Sequence, residues 1–172
     1  ITFQNTLSLG SGGSLTTDGQ GMIILAGNTN LCGSTTVNSG TLLVNGKLDG
    51  GTVTVNSTGT IGGSGTILGP VSVLDGGTLL PGGGGTGTLT LSNSLTLSGL
   101  STTMVALNRT NAQNAGLLVA ASVPFNGTLT VTNVGPALQP GDMCHLCVGA
   151  ITGTFTATNL PTRVSPGFYW DT

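Results

Sequence analysis

Val37, Val55, Val73 and Leu91 stand 18 residues apart, each inside the same short phrase. The phrases read Thr36-Val37-Asn38-Ser39-Gly40-Thr41-Leu42, Val53-Thr54-Val55-Asn56-Ser57-Thr58-Gly59-Thr60-Ile61, Val71-Ser72-Val73-Leu74-Asp75-Gly76-Gly77-Thr78-Leu79 and Leu89-Thr90-Leu91-Ser92-Asn93-Ser94-Leu95. A unit of this length is two or three short strands and cannot bury its own apolar side chains. It must stack on its neighbours, coil upon coil, as a solenoid. Val37, Val55, Val73 and Leu91 are expected to form one interior ladder, and Leu42, Ile61 and Leu79 another on the adjoining wall. Each coil rises by about 4.8 Å, so five coils make a rod of about 24 Å.

The wet side of such a structure must also be explained. Lys and Arg together number 3 and Asp and Glu 5, with no Glu among them, while Gly numbers 31. Water-facing helices draw on Glu, Lys and Ala, so this chain is expected to be almost wholly β, with Thr, Ser and Asn outward. Disorder is rejected because Val, Leu and Ile recur in register, whereas disordered chains are poor in them. A net charge of -2 gives no basic footprint for nucleic acid. No apolar run is long enough to span a bilayer. The chain opens on Ile1 without a visible signal peptide, which reads as a processed product or a fragment. Low charge also weakens self-repulsion and favours association.

Gly40, Gly59 and Gly77 precede Thr41, Thr60 and Thr78, where a corner with φ above zero is expected. Asn38 and Asn56 share a phase and read either as an Asn ladder or as ordinary turn residues, with Leu74 interrupting the series. Ile1 to Leu15 is expected to form an earlier coil. Met22-Ile23-Ile24-Leu25 reads as a strand buried on both faces or one turning a corner inward. Pro81-Gly82-Gly83-Gly84-Gly85-Thr86-Gly87 lacks the Lys and Ser/Thr of a phosphate loop and reads as a turn.

Residues 1–99 are thus assigned to the repeats, and residues 100–172 to a β-rich C-terminal cap. Beyond Gly99 the 18-residue step is lost, and strands are expected at Thr103 to Leu107, Leu117 to Ala120, Thr128 to Thr132, Met143 to Val148 and from Phe155 onward. Phe125, Phe155, Phe168, Tyr169 and Trp170, five of the six aromatics, lie here. Bulky residues of this kind cover the exposed last coil of a solenoid.

Cys32, Cys144 and Cys147 make an odd set, open to one bridge and one free thiol or to no bridge at all. Cys144-His145-Leu146-Cys147 looks like a redox or metal pair, but no second pair of ligands completes a zinc site. A buried or bridged structural role is expected. His145 is expected to face solvent from a strand. The sequons at Asn56, Asn108 and Asn126 matter only in a host that glycosylates them.

Thr35-Thr36-Val37-Asn38-Ser39-Gly40-Thr41-Leu42-Leu43-Val44-Asn45-Gly46, through Gly51-Thr52-Val53-Thr54-Val55-Asn56 to Gly77-Thr78-Leu79-Leu80-Pro81-Gly82, resembles the autotransporter-associated β-strand repeat. The tail is similar to the segment that follows such repeats: Gly127-Thr128-Leu129-Thr130-Val131, Pro140-Gly141-Asp142, Gly153-Thr154-Phe155, Asn159-Leu160-Pro161 and Trp170-Asp171-Thr172. The resemblance implies a right-handed parallel β-helix at the bacterial cell surface, used for adhesion or structure, with no catalytic residues. Cys144 and Cys147 depart from the family's aromatic or aliphatic residues. The family continues past Thr172 into one more strand, and an open edge left without it would accept a segment of another subunit.

Enzymes on β-helices cluster Asp, Lys, Arg or His on one face, and here these residues are scattered, so no catalytic residue, metal or cofactor is expected. The expected function is that of an extracellular structural protein that self-assembles end to end or by strand exchange into a filament or surface matrix. Ile1, Phe3, Phe168, Tyr169 and Trp170 are the candidate subunit contacts, and Cys32, Cys144 and Cys147 the candidate disulfide residues. The alternative is an adhesin or autotransporter passenger stalk, or a glycan-binding surface module with glycans or other surface proteins as partners.

Overall fold

A computed structural model describes residues 1–9, 12–31 and 33–161 of the chain. It is a parallel β-solenoid, with every pairing between named strands parallel and each strand set on its counterpart in the next coil. The first wall is an eight-stranded sheet ordered Thr2–Phe3, Met22–Leu25, Gly40–Val44, Gly59–Gly63, Thr78–Pro81, Thr102–Leu107, Thr128–Asn133 and Ala157–Asn159. The second, of seven strands, runs Leu7–Leu9, Thr29–Leu31, Lys47–Asp49, Thr66–Ile67, Thr88–Leu91, Leu117–Phe125 and Cys147–Gly153. The third has five strands, Leu15–Thr17, Thr35–Val37, Val53–Val55, Val71–Val73 and Leu95–Leu97. Five three-walled coils therefore lie between Thr2 and Leu97, Ile1 to Leu15 supplying most of the first as expected.

Alternation builds the walls. In Val53-Thr54-Val55 and Val71-Ser72-Val73 both valines are buried and the hydroxyl residue between them turns outward. Leu42, Ile61 and Leu79 are paired rung on rung in the first wall and have no exposed surface, as expected. Val37, Val55 and Val73 likewise stack in the third wall. Their next rung is Leu97, however, and not Leu91. Leu91 belongs to the second wall, above Leu48 and Ile67 and beneath Ala120. The 18-residue spacing of Leu91 is coincidental, because this coil takes 24 residues from Thr78 to Thr102 instead of the 18 from Thr60 to Thr78.

From the fifth coil on, the extra length enters at one corner, between the first and second walls. Residues 82–87 are inserted in the fifth coil, beginning with a tight turn at Gly82–Gly84. Residues 108–116 and 134–146 are inserted in the next two. These insertions rest on one another. Asn111 donates to Thr86 Oγ1 at 2.7 Å, Asn114 donates to the Met143 carbonyl at 2.7 Å, and Arg109 reaches Asp142.

The third wall stops at Leu97. In the sixth coil the long strand Leu117–Phe125 shifts register between Val119 and Ser122 and lies against Leu95–Leu97. Asn126 then donates its amide to the Leu97 carbonyl at 3.1 Å, which satisfies the last strand of that wall. Above this point the described residues form two walls.

Several corners depart from expectation. Gly40 has φ of 74°, as expected, but in the next two coils the left-handed residue is Thr58 (φ 69°) and Gly76 (φ 78°), one position before Gly59 and Gly77. Met22–Leu25 is not buried on both faces, since Met22 is exposed and Leu25 enclosed. The strand expected from Met143 starts at Cys147, so His145 is exposed but outside any strand. Among the described residues no helix is long and apolar enough to cross a membrane.

Candidate functional site

Each end of the solenoid presents backbone edges without a partner among the described residues. At the lower end these belong to Thr2–Phe3, Leu7–Leu9 and Leu15–Thr17, each paired on one side only. Phe3, Leu7, Leu9 and Leu15 face the core but are only partly covered, because no coil lies beneath them among the described residues. Ile1 is 80% exposed, and its ammonium donates to the Met22 carbonyl at 2.8 Å. At the upper end Cys147–Gly153 and Ala157–Asn159 carry the free edges, with Val148 and Ile151 exposed. Such edges are templates for adding another strand.

Behind the upper edges lies a cavity of about 750 Å³. Its walls are Thr103, Val105 and Leu129 of the first sheet, and Leu118 and Phe125 of the second. Phe155 stacks on Phe125 with ring centroids 4.4 Å apart. The physical origin of the cavity is the lost third wall. Leu95 and Leu97 still fill the interior of the fifth coil, but among the described residues the coils above have no equivalent strand to contribute side chains. The core divides accordingly, with Val105, Leu107, Leu129, Val131 and Leu138 forming a second cluster apart from the main one.

Cys144 and Cys147 both line this cavity as free thiols. Cys144 packs on the second cluster and Cys147 on the main one. Burial pushes both thiols above the ordinary cysteine value, with a smaller contribution at Cys144 from the nearby charge of Asp142. Both are thus protonated at neutral pH, and neither is held as a thiolate. Asp142 also borders the cavity, but its charge is matched. Arg109 Nε donates to Asp142 Oδ2 at 2.8 Å and Nη2 to Oδ1 at 3.3 Å, while the Gln139 N–H donates to Oδ2 at 2.7 Å. The Arg109 hydrogen bond, and then that from Gln139, hold the carboxyl below its usual value, and the same pair raises Arg109.

Thus Cys144 and Cys147 come together at one cavity, at the end of the solenoid opposite Ile1 and Phe3. Cys32, Phe168, Tyr169 and Trp170 lie outside the described residues. The sequence reading missed Thr103 and the Arg109–Asp142 clamp. A polar residue after Leu42, Ile61 and Leu79 in the inward row was the available signal for Thr103. Among the described residues no three of His, Cys, Asp and Glu approach closely enough to hold a metal ion. No protein-family model matches the chain, and no curated protein matches it.

Proposed function

We propose that the chain is a non-enzymatic extracellular structural protein of the autotransporter-associated repeat type, whose solenoid units associate end to end or by strand exchange into a filament or surface matrix. The observation that supports this reading is the parallel edges at both ends that have no partner among the described residues, with Phe3, Leu7, Leu9 and Leu15 only partly covered by those residues at one end. Every coil is already held to the next by parallel pairing and apolar ladders. Joining two molecules repeats that interaction, and burying each exposed apolar side chain adds about 1.5 to 3 kcal/mol. The low charge supports close approach of identical surfaces, and the Thr-, Ser- and Asn-rich exterior suits an extracellular location.

The test is electron microscopy of the purified native material, with and without reductant. Regular filaments support the structural reading, and their loss on reduction places a disulfide at the joints. Isolated short rods at high concentration defeat it and shift the assignment to an adhesin or passenger stalk, or to a glycan-binding module.

A further inference from the structure

We propose that the outer face of the third wall binds the surface of ice, through two parallel columns of serine and threonine hydroxyls. The middle residues of its five strands, Thr16, Thr36, Thr54, Ser72 and Thr96, stand in register, one per coil. Each turns outward between two residues that face the core, and all are exposed or half-buried. The ladder extends one residue before each strand, where the carbonyls of Ser34, Thr52, Pro70 and Ser94 accept from Leu15, Thr35, Val53 and Val71 in the coil below. Ser14, Ser34, Thr52, Pro70 and Ser94 thus form a second outward column beside the first. Ser14, Ser34, Thr52 and Ser94 are exposed, and Pro70 is the one rung without a hydroxyl. Along each column the spacing is that of paired strands, about 4.8 Å, and across the columns it is two residues of strand, about 6.6 Å. Both repeats are close to lattice repeats of hexagonal ice.

The chemistry of the face selects this ligand. Neither column carries a charge, an amide or an aromatic ring. An ionic ligand would lose its hydration without a counter-charge, and a sugar chain would find no ring to stack on. Asp18, Asn38 and Asn56 border the columns but are engaged with one another. Among the described residues none of the column hydroxyls is hydrogen-bonded within the protein, whereas Thr17 and Thr58 at the adjoining corner donate to the Ser39 and Asn38 carbonyls. Threonine is stiff at χ1, so methyl and hydroxyl stand in a fixed pattern before water meets them, and little order is lost on binding. The first wall also has an outward threonine row, Thr41, Thr60, Thr78, Thr102 and Thr128, but the next outward column there holds Leu43, Gly62 and Leu80 instead of hydroxyls. The third wall runs along the side of the solenoid, so ice binding is independent of any end-to-end association.

The experiment freezes a dilute solution of the full chain slowly, measures how much protein enters the ice, and records the shape of single ice crystals grown in its presence. The expected result is enrichment in the ice over a serum albumin control, with faceted crystals. Thr54→Tyr and Thr52→Lys, which raise a ring or a charge from the middle coil of the two columns, are expected to lose both effects. Thr60→Tyr, on the first wall, is expected to keep both. Circular dichroism and thermal unfolding check that the variants keep the fold. Exclusion of the parent chain from ice to the same extent as albumin overturns the proposal. So does enrichment that survives in both third-wall variants, or that is lost equally in Thr60→Tyr. Binding of the parent chain to microcrystalline cellulose or chitin that disappears in Thr54→Tyr marks the face as a glycan site, and that result also overturns it.

Discussion

Asn56 donates its side-chain amide to Asn38 Oδ1 at 2.6 Å, one coil away, and Asn38 passes the pattern on to Asp18 Oδ1 at 2.9 Å. Of the two readings of the Asn phase, the structure selects the ladder and extends it by a carboxylate. Leu74 ends it, 40% exposed at the same corner.

Asn38 makes two of these bonds and Asn56 one. Asn38→Ala is therefore expected to destabilise the fold by about 1 to 2 kcal/mol, and Asn56→Ala by about half as much, at roughly 1 kcal/mol per net hydrogen bond. Urea unfolding midpoints of the two variants check the order, and an equal loss in both would contradict the ladder.

Thr58 occupies the left-handed region with φ of 69°, and the residue at the same position one coil later, with φ of 78°, is Gly76. A β-branched residue is strained there, at a cost of about 1 to 2 kcal/mol. Thr58→Gly is expected to raise stability by about 1 kcal/mol net of the entropy glycine adds to the unfolded chain. A thermal midpoint lower than that of the parent chain would refute this.

Ile61 lies between Leu42 and Leu79 with no exposed surface. Ile61→Ala leaves a void that rigid neighbouring coils cannot close, and is expected to cost about 2 to 5 kcal/mol. Thr54→Ala, on the outer side of the third wall, serves as a control expected to stay within about 0.5 kcal/mol.

The Arg109–Asp142 pair gives the fold an acid limb. The folded carboxyl titrates below its ordinary value of 3.8, so its contribution is complete above that value and is lost as the pH falls through the folded value. Arg109 remains charged throughout the neutral range, which leaves the contribution flat there. The difference in unfolding midpoint between the parent chain and Asp142→Asn is expected to be constant from about pH 6 to 8 and to shrink below about pH 4. A difference unchanged in acid would show that the pair does not hold the two corner insertions together.

The solenoid was legible because its signals are local and repeated. Val53-Thr54-Val55 states which side chains point inward, and its recurrence as Val71-Ser72-Val73 states that the same wall returns one coil later. The mistaken rung shows where that reading stops. Leu91 keeps the 18-residue count yet stands in another wall, because the six residues at 82–87 advance the chain without advancing it around the coil. Counting residues finds the next rung only while every corner has the same length.

The all-β class, the stacking of short coils, and the inward and outward sides of each strand can therefore be read from the residues alone, since alternation and repetition need no knowledge of the partner. Which rungs meet, where the described third wall ends, that Thr103 sits in a cavity wall and that Arg109 meets Asp142 across 33 residues all emerge from the folded chain. Those relationships depend on cross-coil register. Register is fixed by the hydrogen-bonded ladder and by how much chain each corner absorbs, not by the residues at the contact themselves.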